Sequence, residues 1–206
     1  MIKKLFLVIF LCFPLTSLTD DTEDTLTIND RAMKYLIGDG VEVNHKEAFK
    51  LFSQPAEQGN QFAQANLGLL YWDGFGTDKD LAKAAEWLKK AADQGNASAL
   101  TSLGYMSHFG EGVEVNYKEA MRLYRLAADQ GDETAQRNLG YMYKEGSGVE
   151  TDLVYATMWF LLAQAANDQN ASGQVINLQN QLSESEFEEA FQMAGNCLLE
   201  KEFVGC

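Results

Sequence analysis

The residues that could do chemistry are few, and they stand apart. His45 and His108 are the two histidines, and neither has a second histidine or a cysteine at ligand spacing. A metal site is therefore not expected. His45 follows Asn44 and reads as a solvated residue in a helix first turn. The chain has no H-E-x-x-H, G-x-S-x-G, S-x-x-K or Walker-type loop, so the signatures of zinc hydrolysis, activated serine and phosphate cradling are missing. Pairs of carboxylates are unavoidable among 30 acidic residues. Glu111 and Glu114 flank a loop glycine and read as solvated. No catalytic residue, cofactor or metal ligand is assigned. Asn96-Ala97-Ser98 and Asn170-Ala171-Ser172 match the glycosylation sequon, which matters only in a eukaryotic secretory host.

Residues 1–19 are a different material from the rest. Lys3 and Lys4 precede an unbroken apolar run, Leu5 to Phe13, which Pro14 breaks before Ser17-Leu18-Thr19. That order is expected of a signal peptide cleaved near Thr19. The run falls short of the roughly 20 residues needed to cross a bilayer, so no membrane span is expected after cleavage. Residues 20–26 form an acidic stub expected to be disordered. Removing the leader moves the net charge from −14 to −16, which repels nucleic acid and anionic lipid. The remaining cysteines, Cys197 and Cys206, could pair in an oxidising compartment. Nine residues of continuous helix span about 13.5 Å, beyond the roughly 7 Å limit for bridged Cα atoms. A bridge therefore requires the helix to end near Glu200 and the tail to fold back. Free thiols and an intermolecular link are the alternatives.

The elements that must position these residues are set by a repeat. Ala56-Glu57-Gln58-Gly59-Asn60 recurs as Ala92-Asp93-Gln94-Gly95-Asn96 and Ala128-Asp129-Gln130-Gly131-Asp132, at a spacing of 36 residues. Leu67-Gly68, Leu103-Gly104 and Leu139-Gly140 keep that period, as do the glycine pairs 38/40, 74/76, 110/112 and 146/148. Each unit predicts two helices. Helix A carries Ala63, Leu67 and Leu70, then Ala99, Leu103 and Met106, then Ala135, Leu139 and Met142, one apolar face each time. The glycine pair is the connection, and helix B opens at Asn44, Asp80, Asn116 or Asp152, all good N-cap types. Helix B buries Ala48, Leu51 and Phe52; Ala84, Trp87 and Leu88; Ala120, Leu123 and Tyr124; and Ala156, Trp159 and Phe160. It ends at Gly59, Gly95 or Gly131, placed to accept a left-handed conformation. Gly68, Gly104 and Gly140 lie inside helix A, where glycine costs about 1 kcal/mol and close helix contact explains it.

These motifs resemble the Sel-1-like repeat family, a relative of the tetratricopeptide repeats. The resemblance covers about residues 27–167, in four units near 27–58, 59–94, 95–130 and 131–167. The first unit lacks the leading Ala-Glu-Gln-Gly element, and Asn167 replaces the last glycine. It implies an all-α, right-handed α-α solenoid, closed by C-terminal capping helices over 168–206. There Ser183-Glu184-Ser185-Glu186 is a capping box, opening an amphipathic helix with Phe187, Ala190, Phe191, Ala194 and Leu198. The resemblance further implies a scaffold, adaptor or regulator that binds proteins or peptides in the periplasm or outside the cell. A cysteine-rich branch of the family is associated with β-lactam binding or hydrolysis, but the repeats here contain no cysteine. A permanent subunit of an envelope complex is a further alternative.

Helix A residues off the apolar stripe are the candidate contact surface, because A helices usually line the concave face of such a solenoid. Equivalent positions hold Leu69, Tyr105 and Tyr141; Asn66, Ser102 and Asn138; and Trp72, His108 and Lys144. Aromatic groups would supply contact area and amides would hydrogen-bond a partner backbone. The expected partner-binding set is Asn66, Leu69, Trp72, Tyr105, His108, Asn138, Tyr141 and Lys144.

Overall fold

The structure, a computed structural model, describes residues 20–200. Ten helices follow one another with no strand among the described residues. They are α1 (Asp20–Ile37), α2 (His45–Glu57), α3 (Gln61–Asp73), α4 (Leu81–Ala92) and α5 (Ala97–Phe109), then α6 (Tyr117–Ala128), α7 (Glu133–Glu145), α8 (Leu153–Ala165), α9 (Gln169–Gln179) and α10 (Glu184–Glu200). Odd-numbered helices α1 to α7 pair with the even-numbered helices that follow them, and each pair packs on the next. The result is an α-solenoid of helix pairs. The expected signal peptide, residues 1–19, lies outside the described residues.

Local chemistry explains each boundary. Asn44, Asp80, Asn116 and Asp152 each accept the backbone N–H three residues on, at 2.9–3.1 Å, satisfying one orphan donor of helix B. The helix A starts use the same device: Asn60, Asn96, Asp132 and Asp168 accept from Ala63, Ala99, Ala135 and Ala171. Gly59, Gly95 and Gly131 adopt positive φ after helix B, and Asn167 at φ 74 takes that role in the fourth unit. Asparagine is the side chain that best tolerates this conformation after glycine. In the connecting loops, a Cβ on Gly112 would stand 2.5 Å from the Leu81 carbonyl oxygen, so the loop can lie against the preceding unit only as glycine.

The core follows the expected stripes. Ala63, Leu67, Leu70, Ala99, Met106, Ala135, Leu139 and Met142 are buried, and helix B adds Phe52, Leu88, Leu123, Tyr124, Trp159 and Phe160. A Cβ on Gly68, Gly104 or Gly140 would fall 2.7–2.8 Å from Leu88, Tyr124 or Phe160 of the following helix. Glycine is the condition for that helix pair to close.

Three expectations need correction. The stub of residues 20–26 is not disordered; it forms the first turns of α1. The capping box does open α10, with Ser183 and Glu186 bonding reciprocally, but the buried stripe is Ala190, Ala194 and Cys197. Phe191 and Leu198 are exposed, because α10 lies along α8 and turns them away from it. Leu51, Trp87 and Leu103 are half-buried rather than buried. Cys197 is disulfide-bonded; Cys206 lies outside the described residues.

Candidate protein-binding face

Helix A residues outside the packed stripe meet across the second and third repeats. The Trp72 indole N–H donates to Glu111 Oε2 at 2.8 Å, a bond between residues 39 apart. The Trp72 ring lies 5.6 Å from Tyr105, and Tyr105 lies 4.4 Å from Phe109. Tyr105 is 37% exposed and Phe109 56% exposed. Residues 105 and 109 are one turn apart on α5, so they share a face. An indole, a phenol and a phenyl ring thus form one open aromatic run, fixed at one end by a carboxylate. Glu111 is not merely a solvated loop residue: it holds the Trp72 ring in place.

The other expected contact residues distribute unevenly. His108 is 7% exposed and belongs to the interior. It stacks on Phe109 at 4.3 Å and meets the edges of Tyr117 and Tyr124 at 5.4 and 6.3 Å. Burial lowers its pKa below the usual imidazole value, and nearby Glu145 partly offsets this. A buried, packed imidazole has no face to offer a partner, so His108 is not a contact residue. Tyr141 is half-buried with its ring edge-on to Phe160 at 5.1 Å. Lys144 donates to Gln174 Oε1 at 2.8 Å. Asn66 donates to the Phe62 carbonyl in its own helix. Leu69 is half-buried against the core and Asn138 is half-buried.

The structure also shows a device the sequence reading missed. Asn29 donates to the cap oxygen of Asn60, Thr101 donates to Asp132, and Arg137 pairs with Asp168. Each links one helix A to the cap of the next, 31 residues on. Ala65 occupies the equivalent place before Asn96. The donors are chemically unlike, so residue identity did not reveal the relation; only the 36-residue register could have.

The Sel1 repeat model matches residues 31–60, 61–96, 97–132 and 134–168. The chain belongs to the Sel1 repeat family. A Sel1 repeat protein from Oxalobacter formigenes is 31% identical, with a TM-score of 0.73 over 86% of this chain and 75% of that one. A protective antigen present in uropathogenic Escherichia coli strains, with a Sel1-like repeat fold, is 30% identical with a TM-score of 0.72. That similarity covers 85% of this chain but only 39% of the antigen. No curated protein shows significant similarity to this chain. Sel1 repeat proteins are in general protein-interaction scaffolds rather than catalysts. Among the described residues of this Sel1 protein, no cluster could hold a metal ion and no helix is long and apolar enough to cross a membrane.

Proposed function

We propose that this Sel1 repeat protein is a non-catalytic scaffold or adaptor, and that it grips a peptide or helix of its partner on the helix A face of its second and third repeats. One observation carries the reading. Nearly every regular side chain is consumed in packing, capping or turning, yet Trp72, Tyr105 and Phe109 form an open aromatic run. Open aromatic area of this kind suits hot-spot contacts. Glu111 stands at one end of it, so a partner segment carrying lysine or arginine would find both ring faces and a carboxylate. The leader-like Lys3-Lys4 and Leu5–Phe13 segment supports a place in the bacterial envelope or outside the cell. Similarity to a protective antigen is in keeping with that location.

Pull-down from an envelope extract tests the binding face. Trp72→Ala and Phe109→Ala should each lose partners that the wild-type chain retains, with helical circular dichroism unchanged. Recovery of the same partners by both variants would contradict the assignment. Cell fractionation with N-terminal sequencing tests the compartment: a mature chain starting near residue 20 is expected, and a cytosolic chain retaining Met1 would contradict it.

A further inference from the structure

Successive repeats fill the same groove differently. In the second repeat, Tyr71 and Trp87 are half-buried against the core cluster that includes Leu67, and Lys90 lies 3.8 Å over the Trp87 ring. In the fourth, Tyr143 and Trp159 pack beside Leu139, with Arg125 4.8 Å over the Trp159 ring. The third repeat carries Ser107 where its neighbours have tyrosine and Leu123 where they have tryptophan. It also carries Leu100 where they bury Gln64 and Gln136. The backbone does not close over the missing rings. A cavity of about 410 Å³ remains between α4, α5 and α6, floored by Leu100, Leu103, Ser107 and Leu123. That volume falls at the lower end of the roughly 300–1,000 Å³ range of ligand pockets. Leu103 is accordingly half-buried, whereas Leu67 and Leu139 are 2% and 1% exposed.

We propose that this cavity is a docking site for one aromatic side chain, an indole above all, presented by a partner protein. The flanking repeats show what fits: each carries tryptophan at the position of Leu123, half-buried at Trp87 and fully buried at Trp159, with a cation over the ring. Lys89, the counterpart of Arg125 one repeat earlier, already stands at the rim, paired with Asp93 at 2.9 Å. Arg122 and Glu119 pair across the other side at 2.7 Å. The rim charges therefore satisfy one another and leave an apolar floor, which favours a neutral ring over a charged group. Lys89 can lie over that ring as Arg125 lies over Trp159. Ser107 offers a hydroxyl that can accept an indole N–H, which phenylalanine cannot supply. Residues 100, 103 and 107 lie on the opposite side of α5 from Tyr105 and Phe109. The pocket is thus a separate site, and it stands whether or not the aromatic face binds anything.

The test is an amide-shift titration of the ¹⁵N-labelled mature chain with N-acetyl-tryptophanamide and, in parallel, N-acetyl-leucinamide. Shifts should centre on Leu100, Leu103, Ser107 and Leu123, with the tryptophan probe binding at least fivefold tighter. Leu123→Trp, which supplies the ring from within, should weaken it at least tenfold. Ser107→Tyr fills the groove from α5 and decides the matter if Leu123→Trp fails to fold. Absence of shifts at millimolar probe, equal binding of the leucine probe, shifts centred elsewhere, or undiminished binding by the filled variant would each overturn the proposal.

Discussion

The second and third repeats, residues 61–96 and 97–132, have nearly the same backbone. Their C-cap glycines, Gly74 and Gly110, share φ 75 with ψ 29 and 31, and their helix B caps, Asp80 and Asn116, share φ near −145. The side chains on that backbone do opposite things. The second repeat closes its groove with Tyr71 and Trp87 and offers Leu69 and Asp73 on its helix A face. The third leaves the groove open at Ser107 and Leu123 and offers Tyr105 and Phe109 instead. The aromatic groups have in effect moved from the groove to the outer face. The scaffold is held by caps and glycines that do not vary, so the positions between them are free to specialise.

If the scaffold is common, breaking it should hurt both repeats alike. Gly76→Ala and Gly112→Ala each combine positive φ with a Cβ driven into a carbonyl of the preceding unit. Each is expected to lose about 3 kcal/mol by urea denaturation. Gly95→Ala, also at positive φ but facing open space, should lose only about 1 kcal/mol. A large difference between Gly76→Ala and Gly112→Ala would break the equivalence of the two repeats.

The groove contrast predicts opposite signs. Trp87→Leu should destabilise by about 2 kcal/mol, as a large-to-small change. Leu123→Trp should stabilise by about 1 kcal/mol, as cavity filling does. Thermal melts of both variants sharpen the comparison, and destabilisation by Leu123→Trp would show that the cavity is not shaped for a ring.

A difference of about 1 kcal/mol separates the caps. Asn96 serves Ala99 with Ala65 behind it, so Asn96→Ala should cost about 1 kcal/mol. Asp132 also accepts from Thr101, and losing both bonds should cost about 2 kcal/mol. The smallest effect concerns pH. His108 is held neutral by burial, with a folded pKa below its unfolded value of 6.5. As pH falls through about 6.5 the unfolded chain takes up the proton first, so stability declines with acidification. His108→Phe should flatten the part of the stability–pH curve that this residue contributes.

What the sequence made legible was whatever is determined within a few residues. Asn116 three residues before Glu119 and a glycine after helix B have local causes and stand where expected; the apolar stripe holds at Ala63, Leu67 and Leu70 but only in part at Leu51, Trp87 and Leu103. The site was harder because its contacts are long-range. Trp72, His108 and Lys144 occupy one register position, yet Trp72 reaches the next repeat's loop, Lys144 reaches Gln174, and His108 turns inward between Tyr117 and Tyr124. Register fixes where a Cα sits, while the neighbours' shapes fix where its side chain goes. The open groove is the converse case. Leu123 in the place of Trp87 and Trp159 is visible in the sequence, but that the backbone leaves the space unfilled is a property of the packing.

Recognition rests on the third repeat's departures together with Trp72 of the second, and not on the shared scaffold. This is tested most directly by giving the third repeat the second repeat's residues, as Tyr105→Leu, Ser107→Tyr, Phe109→Asp and Leu123→Trp together. Affinity for the partner recovered from envelope extract is then measured by calorimetry. An unchanged helical spectrum with binding weakened at least tenfold is expected. A folded variant that binds with wild-type affinity would contradict it.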